Sequence, residues 1–335
     1  MTEPGDTPAS RWERLARATR SPVASARRLA GRIRRAPGLD RSYRQLQAEH
    51  EHLRSTYETW VPPGHFYSPF PDLDDYERRA PGLWDPGRDL PGIELREADQ
   101  LALVGVLAGL VAEAPFPEHE GEGDPDGRWR YWYDNPAYSY GDGVVLHGML
   151  RRLRPSRVVE VGSGYSSALL LDTVDGWLPG TETTFVEPFP ALLESLLRPE
   201  DEARVTIHRQ QVQDVDPAVF GALGAGDLLF VDSTHVSRAG SDVNHLVFEV
   251  FPRLAAGVWV HVHDVFFPFE YPPDWVRQGR AWHEAYLLRA FLAFNAAFEI
   301  RWFQDMLWRR HRDALEQLPW VAKNPGANLW LERVG

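Results

Sequence analysis

The chain contains no cysteine, which excludes a disulfide framework, a thiolate nucleophile and any Cys-ligated zinc or iron–sulfur centre. It also has no apolar run long enough to cross a bilayer. The longest, Leu101 to Ala114, is 14 residues with one Glu among them, short of the roughly 20 residues a spanning helix requires. The first ten residues are polar and acidic, without a basic segment leading into an apolar one, so no secretory signal is expected and the expected location is the cytoplasm. A basic surplus is missing as well, since the formal net charge is −12. Residues 1–48 hold eleven Arg against Glu3, Asp6, Glu13 and Asp40, a net of +7, which leaves −19 on the remainder. An acidic body of that kind does not neutralise phosphates, so nucleic acid is excluded as a substrate. The basic arm suits an acidic lipid surface, a protein partner or the acidic body itself. Pro22, Gly31, Pro37 and Gly38 interrupt any long amphipathic helix within it.

What is present organises the 335 residues into three stretches. Residues 1–48 form the arm, expected to be partly flexible. A helix-like stretch over 41–60 spans the junction with residues 49–127, an extension or lid that is dense in Pro, Gly and aromatics from Val61 to Pro91 and apolar and helical over 97–113. Its acidic, Gly-rich end, Glu118 to Gly127, leads into a third stretch at 128–335. There, short β-branched runs at Arg157–Val161, Thr183–Val186, Arg204–His208, Asp227–Val231 and Val258–His263 alternate with helical stretches, including Asp242–Leu254. This βαβ rhythm predicts a doubly wound α/β domain, Rossmann-like, with a mostly parallel sheet covered on both faces. Two late strand-like runs, Phe298–Gln304 and Asn328–Arg333, stand with helices expected over Trp282–Phe294 and Trp308–Leu318.

The strongest local signal is VEVGSGYSS, from Val159 to Ser167, followed by an apolar helix. A buried strand running through Gly162-Ser163-Gly164-Tyr165-Ser166 into a helix offers a ligand backbone N–H groups and a positive helix end. Glu160 stands two residues before the first Gly. A carboxylate there repels a pyrophosphate and favours a cationic or amine-bearing ligand, which tells against the nicotinamide alternative. Glu187, at the tip of the second strand, is placed to accept both hydroxyls of a ribose. After the third strand, Asp214 lies in a segment (Gln211 to Asp214) suited to reading an adenine edge, and Asp232 ends the fourth.

With these residues in view, the chain resembles the class I S-adenosylmethionine-dependent methyltransferases over about 128–335, on the acidic-x-Gly-x-Gly loop (Glu160, Gly162, Gly164), the ribose acid Glu187 and the fourth-strand Asp232. Ser166 stands beside the place where a third Gly is usual. The wider wording, including YDNPAYSYGD and FVDSTHVSRAGSDVNH, resembles a bacterial methyltransferase-like family of unassigned substrate. The resemblance implies a seven-stranded sheet whose last two strands form an antiparallel hairpin. It also implies S-adenosylmethionine as cofactor, with Tyr138 and Ser139 folded over it and Tyr131 or Tyr133 touching the acceptor.

Asp232 and His235 end the fourth strand, and His261, His263 and Asp264 end the fifth. Adjacent strand tips lie about 5 Å apart, so these groups converge beside the cofactor. By the period of two, His261 and His263 share a face and Asp264 points away, so not all are expected to meet; His261 is expected in the core. Two chemistries are open. His235 or His263 acts as general base toward an acceptor hydroxyl, or Asp232 and Asp264 hold a divalent metal that acidifies it. In catechol-type enzymes an Asn follows the second acid, and Val265 takes that place here. The expected activity is O-methylation of a small-molecule or sugar-like acceptor. The alternatives are a His/Asp site for redox-metal chemistry and a non-catalytic binding module.

Overall fold

The structure, a computed structural model, describes residues 44–48 and 60–335. The chain divides into two compact units, Met1–Pro62 and Pro63–Gly335. Of the first, 44–48 is helical; the rest of the expected arm, and most of the expected helix over 41–60, lie outside the described residues.

The second unit is built on seven strands: β1 (Arg157–Val161), β2 (Glu182–Val186), β3 (Val205–His208), β4 (Leu228–Val231), β5 (Trp259–His263), β6 (Phe298–Phe303) and β7 (Asn328–Arg333). Their spatial order is β3-β2-β1-β4-β5-β7-β6. The first five are parallel, and β7 runs antiparallel to both β5 and β6. The Rossmann-like, seven-stranded, mostly parallel sheet and its terminal hairpin are therefore as expected. β4 and β5 are buried along their whole length, which is why they read as continuous apolar runs: a central parallel strand is covered on both faces.

The helices are α1 (Leu73–Leu83), α2 (Glu97–Val111), α3 (Tyr140–Leu153), α4 (Tyr165–Trp177), α5 (Ala191–Leu196), α6 (Ala218–Gly221), α7 (Asp242–His245), α8 (Pro273–Arg277), α9 (Glu284–Leu292), α10 (Gln304–Arg310) and α11 (Arg312–Leu315). From α7 the chain stays helical to Arg253 through a π turn and a 3-10 turn. α3 is buried from Gly141 to Leu150. A methyl group at Gly143 would stand 2.1 Å from the Tyr131 hydroxyl, so only glycine admits the aromatic strip 129–140 against this helix. Residues preceding 128 contribute to the same core: Leu90, Leu103, Leu107, Val111 and Phe116 belong to the cluster that includes the strands. Gln100 stitches α2 to the sheet, its side-chain oxygen accepting from the Phe303 N–H at 2.7 Å.

One helix differs from expectation. Instead of a single helix over Trp308–Leu318, α10 begins at Gln304 and breaks at His311 (φ −136°, ψ 43°) before α11. The start is drawn forward because Asp305 accepts the Phe267 N–H at 2.9 Å, and His311 is pulled aside to Glu97 at 2.6 Å.

Candidate active site

At the end of β1 the chain turns on Gly162, whose φ is +82°. A Cβ there would stand 1.7 Å from the Asp232 carbonyl, so the Gly is required by the close approach of the β1 and β4 tips. The Asp232 N–H donates to the Val161 carbonyl at 2.9 Å across the same junction. α4 then begins at Tyr165. Beneath the loop lies Glu160, only 1% exposed. Its Oε1 accepts the hydroxyls of Ser166 at 2.6 Å and Ser167 at 3.0 Å, while its Oε2 has no partner. Burial pushes this carboxyl up to about 8, with the two serine hydrogen bonds pulling the other way. Ser166 is thus explained by the carboxyl group to which its hydroxyl donates. Gly164 and Ser163 complete the turn, and the Ser163 hydroxyl is buried without a partner.

Glu187 leans over this loop from the tip of β2, accepting the Ser163 N–H at 3.2 Å and the Phe189 N–H at 2.8 Å. After β3 the two candidates for an adenine edge separate. Asp214 is exposed on a 3-10 turn, whereas Gln213 is half-buried, donates to the Gly240 carbonyl at 2.7 Å and leaves its side-chain oxygen unpartnered. Which side chain of this segment faces inward is set by the 3-10 geometry.

The tips of β4 and β5 form one ionisable cluster. His235 Nε2 is 3.3 Å from Asp232 and 3.8 Å from Asp264. His263 Nδ1 is 3.3 Å from the other Asp232 oxygen and 3.8 Å from Asp264. Asp264 was expected to point away from His263, but its backbone takes φ +56°, and His235 takes φ +58°. Both are non-glycine residues in the left-handed region, and this turn brings Asp264 into the cluster. His261 is in the core as expected, stacked on Phe230 with ring centres 4.1 Å apart.

Two further acids, absent from the sequence-based set, close the cluster from outside. Glu284, the first residue of α9, meets His235 Nδ1 at 2.8 Å. Asp142, in the first turn of α3, faces His263 Nε2 at 3.5 Å while accepting from the Ala327 N–H at 3.0 Å and the Asn328 amide at 2.7 Å. Each imidazole therefore stands between an outer, buried carboxylate and the inner, partly exposed pair Asp232 and Asp264. Burial opposes the charge on His235, yet hydrogen bonds to Asp232 and Glu284 outweigh it and push the group up to about 10. His263 is likewise raised, burial being outweighed by Asp264 and Asp232. Asp232 is held far below the usual carboxylate range by the two imidazoles, against its own burial. Among the described residues, no group of three or more His, Asp or Glu side chains is disposed to hold a metal ion. Asp232 and Asp264 face the two imidazoles.

Tyr138 is buried beneath the cluster, its ring centre 5.0 Å from that of His263 and its hydroxyl 3.5 Å from His261 Nε2. Ser139 precedes α3 and accepts from the Asn324 amide at 3.0 Å. Tyr131 and Tyr133 correct an expectation: both are 0% exposed, packed edge-on to Phe116, and are core residues rather than acceptor contacts.

This strand order, with a Gly loop after β1 and acids at the ends of β2 and β4, is the arrangement that the resemblance to class I methyltransferases implied. Residues 159–265 match the family model described as methyltransferase domain. A curated but uncharacterised protein of Archaeoglobus fulgidus is 29% identical over 169 residues, 48% of this chain and 73% of that protein. Among solved structures, the O-methyltransferase TomG from Streptomyces achromogenes in complex with SAM is 15% identical, with 72% of this chain and 92% of that one covered and a TM-score of 0.39. The SAH-bound methyltransferase PaMTH1 from Podospora anserina is 15% identical, with 83% and 99% covered and a TM-score of 0.38. A CmcI structure described with Mg and SAM is 21% identical, with 59% and 73% covered and a TM-score of 0.37. Among the described residues, no helix is long and apolar enough to cross a membrane.

Proposed function

We propose that the protein transfers a methyl group from S-adenosylmethionine to a hydroxyl oxygen of a small-molecule acceptor. The observation that carries the cofactor assignment is a set of buried, unpartnered polar atoms gathered at the sheet's carboxyl ends: Glu160 Oε2, Ser163 Oγ, Gln213 Oε1 and Ser233 Oγ. Buried polar groups cost free energy unless they are paired, and this set asks for a ligand with an amine, hydroxyls and a donor-bearing base. On this reading Glu160 receives the amino group, with Gly162, Ser163, Gly164, Tyr165 and Ser166 as its cradle. Glu187 takes the ribose hydroxyls, Gln213 or Asp214 the base, and Tyr138, Ser139 and Asp232 complete the wall. The cofactor supplies an electrophilic methyl on a sulfonium.

The acceptor side belongs to His235, His263 and Asp264. An oxygen nucleophile must give up a proton as it attacks, and a positioned imidazole is suited to take it. His235 is the better placed of the two, because its Nδ1 is committed to Glu284 at 2.8 Å and its Nε2 faces the partly exposed carboxylates. A cation lying beside these imidazoles disfavours their charged form, so occupancy of the site makes the base easier to free.

Titration calorimetry with S-adenosylhomocysteine tests the reading: saturable one-to-one binding is expected. Glu187→Ala should weaken it by about 1–3 kcal/mol through loss of charge-assisted hydrogen bonds. Unchanged affinity in that variant would remove Glu187 from the site, and binding of NAD in preference would overturn the assignment.

A further inference from the structure

The region between β5 and β6 contributes a short aromatic and acidic segment that grips His235 in three ways. The His283 and Glu284 N–H groups both donate to the His235 carbonyl, at 2.9 and 3.2 Å. The Trp282 ring lies against the imidazole with centres 4.3 Å apart and planes at 32°. The Glu284 carboxylate, only 2% exposed, reaches His235 Nδ1. The backbone contacts hold His235 in its left-handed conformation, and the indole sets the plane of the ring. Neither decides which ring nitrogen carries the proton or which edge of the ring faces the inner carboxylates; the shortest contact that does is Glu284 on Nδ1 at 2.8 Å, with Asp232 3.3 Å from Nε2 on the opposite edge.

We infer that Glu284 is the positioning residue of this centre: it fixes His235 in the Nδ1-protonated orientation with Nε2 turned toward the acceptor, setting the reactive imidazole from a helix outside the strand tips. The orientation follows from geometry alone. A ring flip would exchange the 2.8 Å bond for a carbon edge and strand a buried carboxylate, which is costly. The consequence for an acceptor rests on the methyl-transfer reading above; the placement does not. An ion pair that merely fastened α9 to the loop after β4 would be satisfied equally by a neutral acceptor at residue 284, and this separates the two roles.

The test uses the full-length protein labelled with ¹⁵N at histidine, with the His235 ring signals assigned by their loss in His235→Asn. In the wild-type protein, Nδ1 of His235 should stay protonated across neutral pH. Glu284→Gln keeps the shape and the hydrogen-bond acceptor but removes the charge, so the His235 titration midpoint should fall by about one pH unit or more. Melting temperature should fall by no more than a few degrees, the amount that a shift of this size implies, and S-adenosylhomocysteine affinity should stay within twofold of wild type. Glu284→Asp, which restores the charge on a shorter arm, should recover part of the shift. An unchanged midpoint in Glu284→Gln would overturn the inference, as would a shift accompanied by collapse of the melting transition in both variants. If the midpoint moves as expected but S-adenosylhomocysteine does not bind the wild-type protein, the placement of Glu284 stands and the methyl-transfer reading falls.

Discussion

Glu160→Gln is expected to stabilise the protein while weakening cofactor binding. Glu160 is buried beneath the Gly loop with one carboxylate oxygen unpartnered, and burial raises it from its ordinary 4.5 to about 8. A carboxyl whose folded-state pKa is raised is neutral in both states at low pH and costs nothing there. As pH climbs above 4.5 the unfolded chain ionises while the native group keeps its proton, so the unfolded state gains and stability falls until about pH 8. At one pH unit per 1.36 kcal/mol, the penalty at pH 7 is about 3 kcal/mol. Glutamine has the same shape, accepts the same two serine hydroxyls and carries no such penalty. Denaturant unfolding should therefore show Glu160→Gln more stable than wild type at pH 7 to 8 and indistinguishable from it near pH 4. Calorimetry should show the cost: without a carboxylate to meet the amine, S-adenosylhomocysteine affinity should fall by at least about tenfold. Wild-type binding should also release protons near pH 7, because an ammonium group beside Glu160 favours its ionised form. Equal stability at pH 8, or retained affinity, would show that the carboxylate is spent on the loop rather than on a ligand.

The parts legible in the sequence were those governed by short-range periodicity. β1 and β7 fall at the expected residues, and the other five strands differ by a residue at one end, because buried parallel strands are continuous apolar runs with sharp ends. The Gly loop was legible because a Cβ at Gly162 would stand 1.7 Å from the Asp232 carbonyl, leaving glycine as the only residue possible. Glu284 and Asp142 were not, and the reason is physical. Each sits at the start of a helix, where an acid is ordinary, and each becomes exceptional only when the fold carries it to a histidine more than a hundred residues away or across a crossover. An acid leading straight into the apolar run Val144–Leu146, as Asp142 does in α3, is the signal that was available. The convergence of Asp264 with His263 was hidden for a related reason: strand periodicity holds only while the chain remains a strand, and the φ of +56° at Asp264 ends it at that residue.

The aromatic strip preceding α3 depends on a single cation. Arg130 is 6% exposed; it forms a two-bond clasp with Asp201, at 2.7 and 3.0 Å, and reaches Asp172 at 2.7 Å and Asp175 at 2.9 Å. The second Asp172 oxygen accepts the backbone N–H groups of Arg130 and Tyr131 at 2.7 and 2.9 Å. The strip is thereby fastened to α4, the helix that opens on the Gly loop, and leads directly to Tyr138 and Asp142. Asp172 and Asp201 are 1% and 0% exposed, so truncation of the arginine leaves two carboxylates buried with their principal countercharge gone. Arg204 remains 3.5 Å from Asp201 and Arg198 remains 3.8 Å from Asp172, but both are longer contacts at the rim. Arg130→Met should therefore cost about 3–5 kcal/mol, read as a fall of roughly 10 °C in melting temperature for a domain of this size. Combining it with Asp172→Asn and Asp201→Asn should recover a substantial part, because the penalty lies in the unpaired charges rather than in lost packing. The loss should also deepen above neutral pH, where Asp172, already pushed up to about 6 by burial, cannot escape by protonation. A cost below about 1 kcal/mol, the range of exposed pairs, would mean that the rim arginines take over the charge and that the strip is held by its aromatic contacts alone.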